Sequence, residues 1–292
     1  MIFWPGGGCA SKLSKAIREA GINRHLISFY SEQNKHFNPG DKNAYMMDGF
    51  ELFVDSGAFS AWSQGAEVSL EDYVEFIKYH CGIVDHCINL DTLPASHTPW
   101  ALEEAAQASW KNYQALHELG VPVLPVYHYG EDQKWLDLFC RETDYVCLGG
   151  LVGVHYTDRV RWLDTTFARA KKINPDIKLH GLGIGDLELM QRMPWYSVDS
   201  TSWLRVAAMG NLWIPKMQDG RFVFDAFPLK AYVDDLHKVP DIEAWAHYCG
   251  TTLLACIEDY YARFVVMLTY FREFCAVDHQ QNHFRKNSLL TD

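Results

Sequence analysis

The sequence predicts an α/β chain folded as one (β/α)8 (TIM) barrel, with a β-hairpin after the eighth strand and a helical C-terminal extension. Three observations carry this. Short β-rich apolar runs alternate with amphipathic stretches through most of the chain. Eight such runs fall within about 210 residues, which suits a closed parallel barrel better than a doubly wound sheet. The first unit holds no dominant Gly-rich dinucleotide fingerprint.

The expected strands are 2–4, 25–30, 52–55, 86–91, 123–127, 145–148, 177–181 and 196–199. Helices are expected over 11–20, 70–81, 101–119, 132–140, 157–172 and 187–192, several begun by Ser, Thr or Asp at the N-cap. The polar, turn-rich stretch 31–49 reads as a long loop at a barrel end. After the eighth strand, two partly alternating apolar runs flank Gln218-Asp219-Gly220, a hairpin signal. From Asp241 the chain turns helical, long enough for two helices that pack on the barrel or present an interface. The domain organisation is thus a catalytic barrel with its hairpin over 1–228 and the extension over 229–292.

With 292 residues, 48% of them hydrophobic, the chain can bury a core of this size. Its apolar runs are short, so neither a membrane span nor a signal segment is expected, and the location is expected to be cytoplasmic. The eight cysteines are scattered without a C-x-x-C pair and read mostly as buried free thiols, leaving a zinc site unsupported and no cofactor expected. The nearest metal-like spacing, Cys275, His279 and His283, reads first as the end of a surface helix. A net charge of −11 opposes bulk attraction to a polyanion, so a nucleic-acid substrate would require a local basic strip or a partner.

In a barrel of this kind the active site lies at the C-terminal ends of the strands. Four expected strands end in polar groups: Asp55 in "FVDSGAF", Asp91 in "INLDTLP", His128 in "PVYHYG" and Asp199 in "YSVDSTSW". One strand-end Asp ordinarily caps the next loop, but carboxylates gathered in one mouth raise each other's pKa, at a cost in stability usually kept for chemistry. Two carboxylates across a sugar are the apparatus for displacement at an anomeric carbon, one attacking C1′ and the other moving the proton. The same pair would equally serve a glycosidase or, with a metal, a hydrolase.

Gly149 and Gly150 in "LGGLVG" would let backbone N–H groups approach a flat ligand, with Leu151 at the rim, although tight barrel packing needs glycines as well. "WPGGGCAS" has the look of an anion cradle but lacks phosphate-loop spacing. Phe59, Tyr127, His128 and Tyr129 lie near strand ends and could stack on a base, Phe59 being tied to the Asp55 motif.

Taken in order, "DSGAF", "NLDTLP", "VYHYG", "LGGLVG", "LHGLGIG" and "VDSTSWLR", followed by the Gly-turned hairpin, resemble the successive strand-end motifs of the tRNA-guanine transglycosylase (queuine tRNA-ribosyltransferase) family. The resemblance implies exchange of guanine in a polynucleotide for a free 7-deazaguanine base through a covalent glycosyl-enzyme intermediate. It casts Asp199 as the nucleophile and Asp55 as the general acid/base. Asp91 would read the guanine N1–H and 2-amino edge, Gly150 and Leu151 would donate backbone contacts to the base carbonyl, and Ser56 would belong to the same base site. Phe59 would form one stacking wall, with His180 near the other.

The chain also departs from the family. His128 stands where the family has Gln, Ser60 follows "DSGAF" in place of Gln, and the Cys-x-Cys-x-x-Cys zinc element after the hairpin is absent. The shortened form is similar to the bacteriophage branch that modifies DNA, inserting a 7-deazaguanine such as preQ0, and the expected substrate is therefore DNA, with tRNA the alternative. A third reading is a non-catalytic nucleic-acid-binding accessory subunit, against which both Asp55 and Asp199 speak. Base exchange in DNA requires the guanine to leave the stack. Arg205, Lys216 and Arg221 are the candidate phosphate contacts near the mouth. A homodimer or helper protein would supply further basic surface.

Overall fold

Side-chain alternation along eight short strands divides the chain's apolar residues between a barrel interior and a surrounding helical layer. The computed structural model describes residues 1–8, 11–32, 49–80, 84–96 and 98–277. The barrel strands are β1 (Ile2–Pro5), β2 (Arg24–Ser28), β3 (Glu51–Asp55), β4 (Val84–Ile88), β5 (Val123–Leu124) with its continuation β6 (Val126–His128), β7 (Tyr145–Gly149), β8 (Lys178–Gly181) and β9 (Ser197–Ser200). Pro125, which has no N–H to give, separates β5 from β6. All neighbouring pairs are parallel, in the orders β2-β3-β4-β5 and β6-β7-β8-β9-β1.

The ring closes at the glycines after β1. Gly6 bridges Leu26 in parallel, Gly6 N–H donates to the Ser200 carbonyl at 2.9 Å, and Gly7 N–H donates to that of Leu26 at 3.2 Å. These donors join the first strand to the last and to the second, so the anion-cradle reading of this segment is overturned for both: neither is left for a ligand. Cys9 and Ala10 lie outside the described residues.

The barrel interior is filled by Trp4, Leu26, Phe53, Ile88, Leu124, Val126, Tyr145 and Cys147. Residues of opposite parity, such as Phe3, Val54, Cys87 and Val146, pack outward against the helices. Those helices are α1 (Ser11–Glu19), α2 (Phe29–Glu32), α3 (Ala58–Ser63), α4 (Leu70–Tyr79), α5 (Pro99–Glu118), α6 (Gln133–Glu142), α7 (Tyr156–Ile173), α8 (Leu187–Arg192) and α9 (Ser202–Ala208). Side chains of Ser69, Thr98, Asp132 and Asp186 cap α4, α5, α6 and α8 by accepting from backbone N–H groups of the first turn.

All eight expected strands are present, with altered limits. The run expected over 25–30 stops at Ser28 because Phe29 opens α2. The run expected over 86–91 is β4, ending at Ile88; Asp91 N–H bonds the Asn89 carbonyl at 3.0 Å, turning the chain away from the sheet. The short helices α2, α3 and α9 were not among the expected helices. Most of the long loop expected over 31–49 lies outside the described residues.

Beyond α9, β10 (Asn211–Ile214) pairs antiparallel with β13 (Leu229–Tyr232), and β11 (Lys216–Gln218) pairs with β12 (Arg221–Val223) in the hairpin. Asp219 and Gly220 both hold positive φ, 50° and 74°, the combination that suits a two-residue hairpin turn. Among the described residues three α-helices follow, where two were expected: α10 (Ile242–Tyr248), α11 (Leu253–Glu258) and α12 (Tyr260–Ala276). Gly250, at φ 74°, ends the first, and Asp259 caps the third. α12 is buried nearly all round and stacks Phe271 on Phe3 of β1 at 4.7 Å. The cysteines at 87, 140, 147, 249, 256 and 275 are free and buried. No helix among the described residues is long and apolar enough to cross a membrane.

Candidate active site at the barrel mouth

Asp55, Asp91, His128 and Asp199 meet at the C-terminal end of the barrel. Asp55 is the last residue of β3 and shares the inward parity of Phe53. It is half-buried, and burial together with the charges of Asp91 and Asp199 raises its carboxyl to about 7, against the opposing hydrogen bonds from the Gly57 and Ser56 backbone. Gly57 turns the chain into α3 at φ 76°, and a Cβ there would meet Ser28 Oγ and Tyr30 Cβ at 2.5 Å. The hydroxyl of Tyr73 on α4 lies 2.7 Å from the Ile88 carbonyl and 3.3 Å from that of Val54, tying the ends of β3 and β4 together.

Asp91 is held by the loop after β4, which α5 pins. Asn112 Nδ2 donates to the Leu90 carbonyl at 2.8 Å, and Ser109 Oγ accepts from Thr92 N–H at 2.8 Å. Asp91 Oδ2 lies 2.7 Å from His128 Nε2, while Ser56 Oγ is 3.5 Å from Oδ1. On its other side, His128 Nδ1 is 3.0 Å from Glu131 Oε1, and His128 N–H donates to Glu131 Oε2 at 3.0 Å. Burial opposes charge on this imidazole, but Glu131 and Asp91 outweigh it and raise His128 to about 10. As an imidazolium, His128 donates from both ring nitrogens.

Asp199, on β9, accepts at Oδ1 from Gly183 N–H at 2.9 Å, and His180 Nε2 lies 3.2 Å from the same oxygen. His180 Nδ1 is 2.6 Å from Ser197 Oγ, which is 2.5 Å from the Tyr145 hydroxyl. His180 has no accessible surface and packs on Phe53 inside the barrel. The resemblance placed His180 near the second stacking wall; with no exposed face, the ring does not itself meet a base. Phe59 on α3 is 48% exposed beside Trp62, with ring centroids 6.1 Å apart, and its face is open to a ligand. Tyr127 points outward and stacks on Trp162, so it too is unavailable for stacking.

Gly150 holds φ 75°, and a Cβ there would stand 3.0 Å from Tyr129 N, so backbone conformation and close packing together favour glycine here without any ligand. Leu151 buries its side chain in the outer core. No described residue accepts from the backbone N–H of either.

Lys216 and Arg221 do not flank the mouth, and their expected role there is corrected. A helix following a barrel strand returns to the N-terminal end. Gln191, in the last turn of α8, donates to the Asp225 carbonyl just beyond the hairpin. Arg221 lines a depression with Phe222, Phe224 and Val277, the last of these just past the end of α12. The hairpin therefore lies at the opposite end from the carboxylates. Arg205 is exposed on α9, which starts directly after β9.

Glu131, Ser197 and Tyr145 are site residues that the sequence reading missed. Strand parity was the available signal for two of them: Ser197 precedes Asp199 by two, and Tyr145 precedes Cys147 by two. Among the described residues no cluster of three or more His, Cys, Asp or Glu could hold a metal ion, and His279 and His283 lie outside them.

Neither a protein-family model nor a curated protein matches the chain. Among solved structures it is similar to the N-acetylneuraminate lyase of Mycoplasma synoviae, at 10% identity and a TM-score of 0.43, over 68% of each chain. It is also similar to an enolase protein from Sargasso Sea environmental sequencing, at 10% identity and a TM-score of 0.38, over 83% of this chain and 65% of that one. Likenesses this distant say nothing of chemistry, and the barrel assignment rests on the strand order itself.

Proposed function

We propose that the chain is a base-exchange transglycosylase, a pentosyltransferase that replaces guanine in DNA with a 7-deazaguanine such as preQ0. The observation that carries this reading is the pairing of Asp55, raised to about 7, with Asp199, whose Oδ1 is occupied by two partners at one mouth. A carboxyl poised near neutrality can give a proton to a leaving purine and take one from the incoming base. Asp199 Oδ2 attacks C1′ as the C1′–N9 bond breaks, and the departing base takes the proton of Asp55. In the second step N9 of the incoming base attacks C1′, the C1′–Oδ2 bond returns its electron pair to Asp199, and Asp55 takes the N9 proton.

Asp91, fixed by His128, supplies an acceptor for the N1–H and 2-amino edge. The unclaimed N–H groups of Gly150 and Leu151 suit the base carbonyl, and Phe59 suits its face. Because two of the three phosphate candidates lie at the far end, the polynucleotide is held by Arg205, by stacking and by a second copy or helper protein.

Labelled guanine and, separately, preQ0 are offered with duplex DNA and with bulk tRNA, with Asp199→Asn as control. Incorporation into DNA alone, lost in the variant, supports the reading. Incorporation into tRNA moves the substrate to tRNA, and no incorporation into either overturns base exchange.

A further inference from the structure

The barrel interior holds a line of polar groups behind Asp199, of which the exchange chemistry above uses only the last contact, that of His180 with Asp199. Tyr145, Ser197 and His180 come from β7, β9 and β8, and all three are buried. Their contacts run 2.5 Å from the Tyr145 hydroxyl to Ser197 Oγ, 2.6 Å from Ser197 Oγ to His180 Nδ1, and 3.2 Å from His180 Nε2 to Asp199 Oδ1. Enclosed among Phe53, His86 and Tyr145 in an apolar barrel, such groups are costly unless every donor meets an acceptor.

Hydrogen-bond accounting then gives the line one direction for a neutral imidazole. A ring that donates to a carboxylate from Nε2 must accept at Nδ1. Ser197 therefore donates its hydroxyl proton to Nδ1 and accepts from the Tyr145 hydroxyl. The opposite order would set the Nε2 lone pair against the Asp199 carboxylate. We propose that Tyr145 and Ser197 hold His180 in its Nε2–H tautomer, making His180 a positioning residue that governs how readily Asp199 leaves the glycosyl ester.

This rests on the base-exchange reading. Both fixed donors, His180 and Gly183 N–H, fall on Oδ1. Oδ2 is thereby turned to C1′, and Oδ1 becomes the carbonyl oxygen of the ester. When the incoming base breaks the C1′–Oδ2 bond, negative charge spreads back over both oxygens, and donors already aimed at Oδ1 stabilise it without reorganisation. The line thus favours the second step over the first, so its loss makes the covalent adduct accumulate.

The test combines two readouts on the full chain. Histidine selectively labelled with nitrogen-15 reports each ring's tautomer, and the His180 signals are assigned by their disappearance in His180→Gln. Rapid quenching of the exchange reaction reports the fraction of protein carrying the glycosyl ester. The parent is expected to show the Nε2–H form. Ser197→Ala should mix the tautomers, slow the second step about tenfold, the scale of one lost hydrogen bond to a charged group, and raise the trapped fraction severalfold. Tyr145→Phe, which keeps the packing, should move both readouts the same way by less. An Nδ1–H tautomer in the parent overturns the proposal, as does a second step within twofold of the parent in Ser197→Ala. A parent that exchanges neither guanine nor preQ0 refutes base exchange, while its spectrum still decides whether His180 donates to Asp199.

Discussion

Asp91 and His128 form an ion pair at the barrel mouth, with Nε2 2.7 Å from Oδ2 and side chains only 12% and 7% exposed. Glu131 completes the arrangement from behind at 3.0 Å. A buried pair of this kind is costly to break by deleting one member, because the other charge is left without compensation. His128 rises to about 10 in the folded chain, from about 6.5 when unfolded. The stability it contributes is full below pH 6.5 and is lost as pH rises toward 10. Glu131→Gln should lower the His128 titration midpoint and destabilise the fold by about 3 kcal/mol at pH 6. Urea unfolding across pH 6 to 10, with histidine NMR titration, measures both.

Asp55 has the opposite relation to stability. Its carboxyl is raised from 3.8 to about 7, so the folded chain binds its proton more tightly than the unfolded chain does. Ionising it therefore costs stability progressively between about pH 4 and 7. Asp55→Asn should raise the melting temperature at pH 8, by the equivalent of about 2 to 4 kcal/mol, and change it little at pH 4. The same titration should govern guanine release in the parent, whose rate should fall as pH rises through 7. A stopped-flow profile that is flat from pH 6 to 8 would refute this.

Asp199→Asn should remove covalent capture entirely while keeping the fold, since Asn still offers an acceptor to Gly183 N–H and His180. Its stability should stay within about 1 kcal/mol of the parent. Denaturing gels with labelled oligonucleotide read the adduct, and thermal unfolding reads the fold.

Lys216→Ala and Arg221→Ala, alone or together, should leave DNA affinity and exchange within about twofold of the parent, because the hairpin lies at the far end of the barrel. Arg205→Ala should weaken DNA binding and reduce its salt dependence by about one unit of slope. Filter binding across a salt series distinguishes the three.

Gly150→Ala should destabilise the chain by about 2 kcal/mol, combining the cost of positive φ for an L-residue with a Cβ 3.0 Å from Tyr129 N. The shift in urea midpoint at unchanged slope measures it.

Alternating apolar runs were enough to determine eight strands, a hairpin and the strand ends carrying Asp55 and Asp199, because parity and turn chemistry are written in neighbouring residues. What each donor and ring faces was decided by partners far along the chain. Gly6 N–H resembles a ligand donor until Ser200, from the last strand, accepts from it. The motifs place His180 near a base-stacking wall, but strand packing encloses it between Phe53 and Asp199. Glu131 gains its meaning only where β6 brings His128 against Asp91. Burial and hydrogen-bond pairing depend on which strands adjoin in the closed ring, and only the tertiary structure settles those contacts.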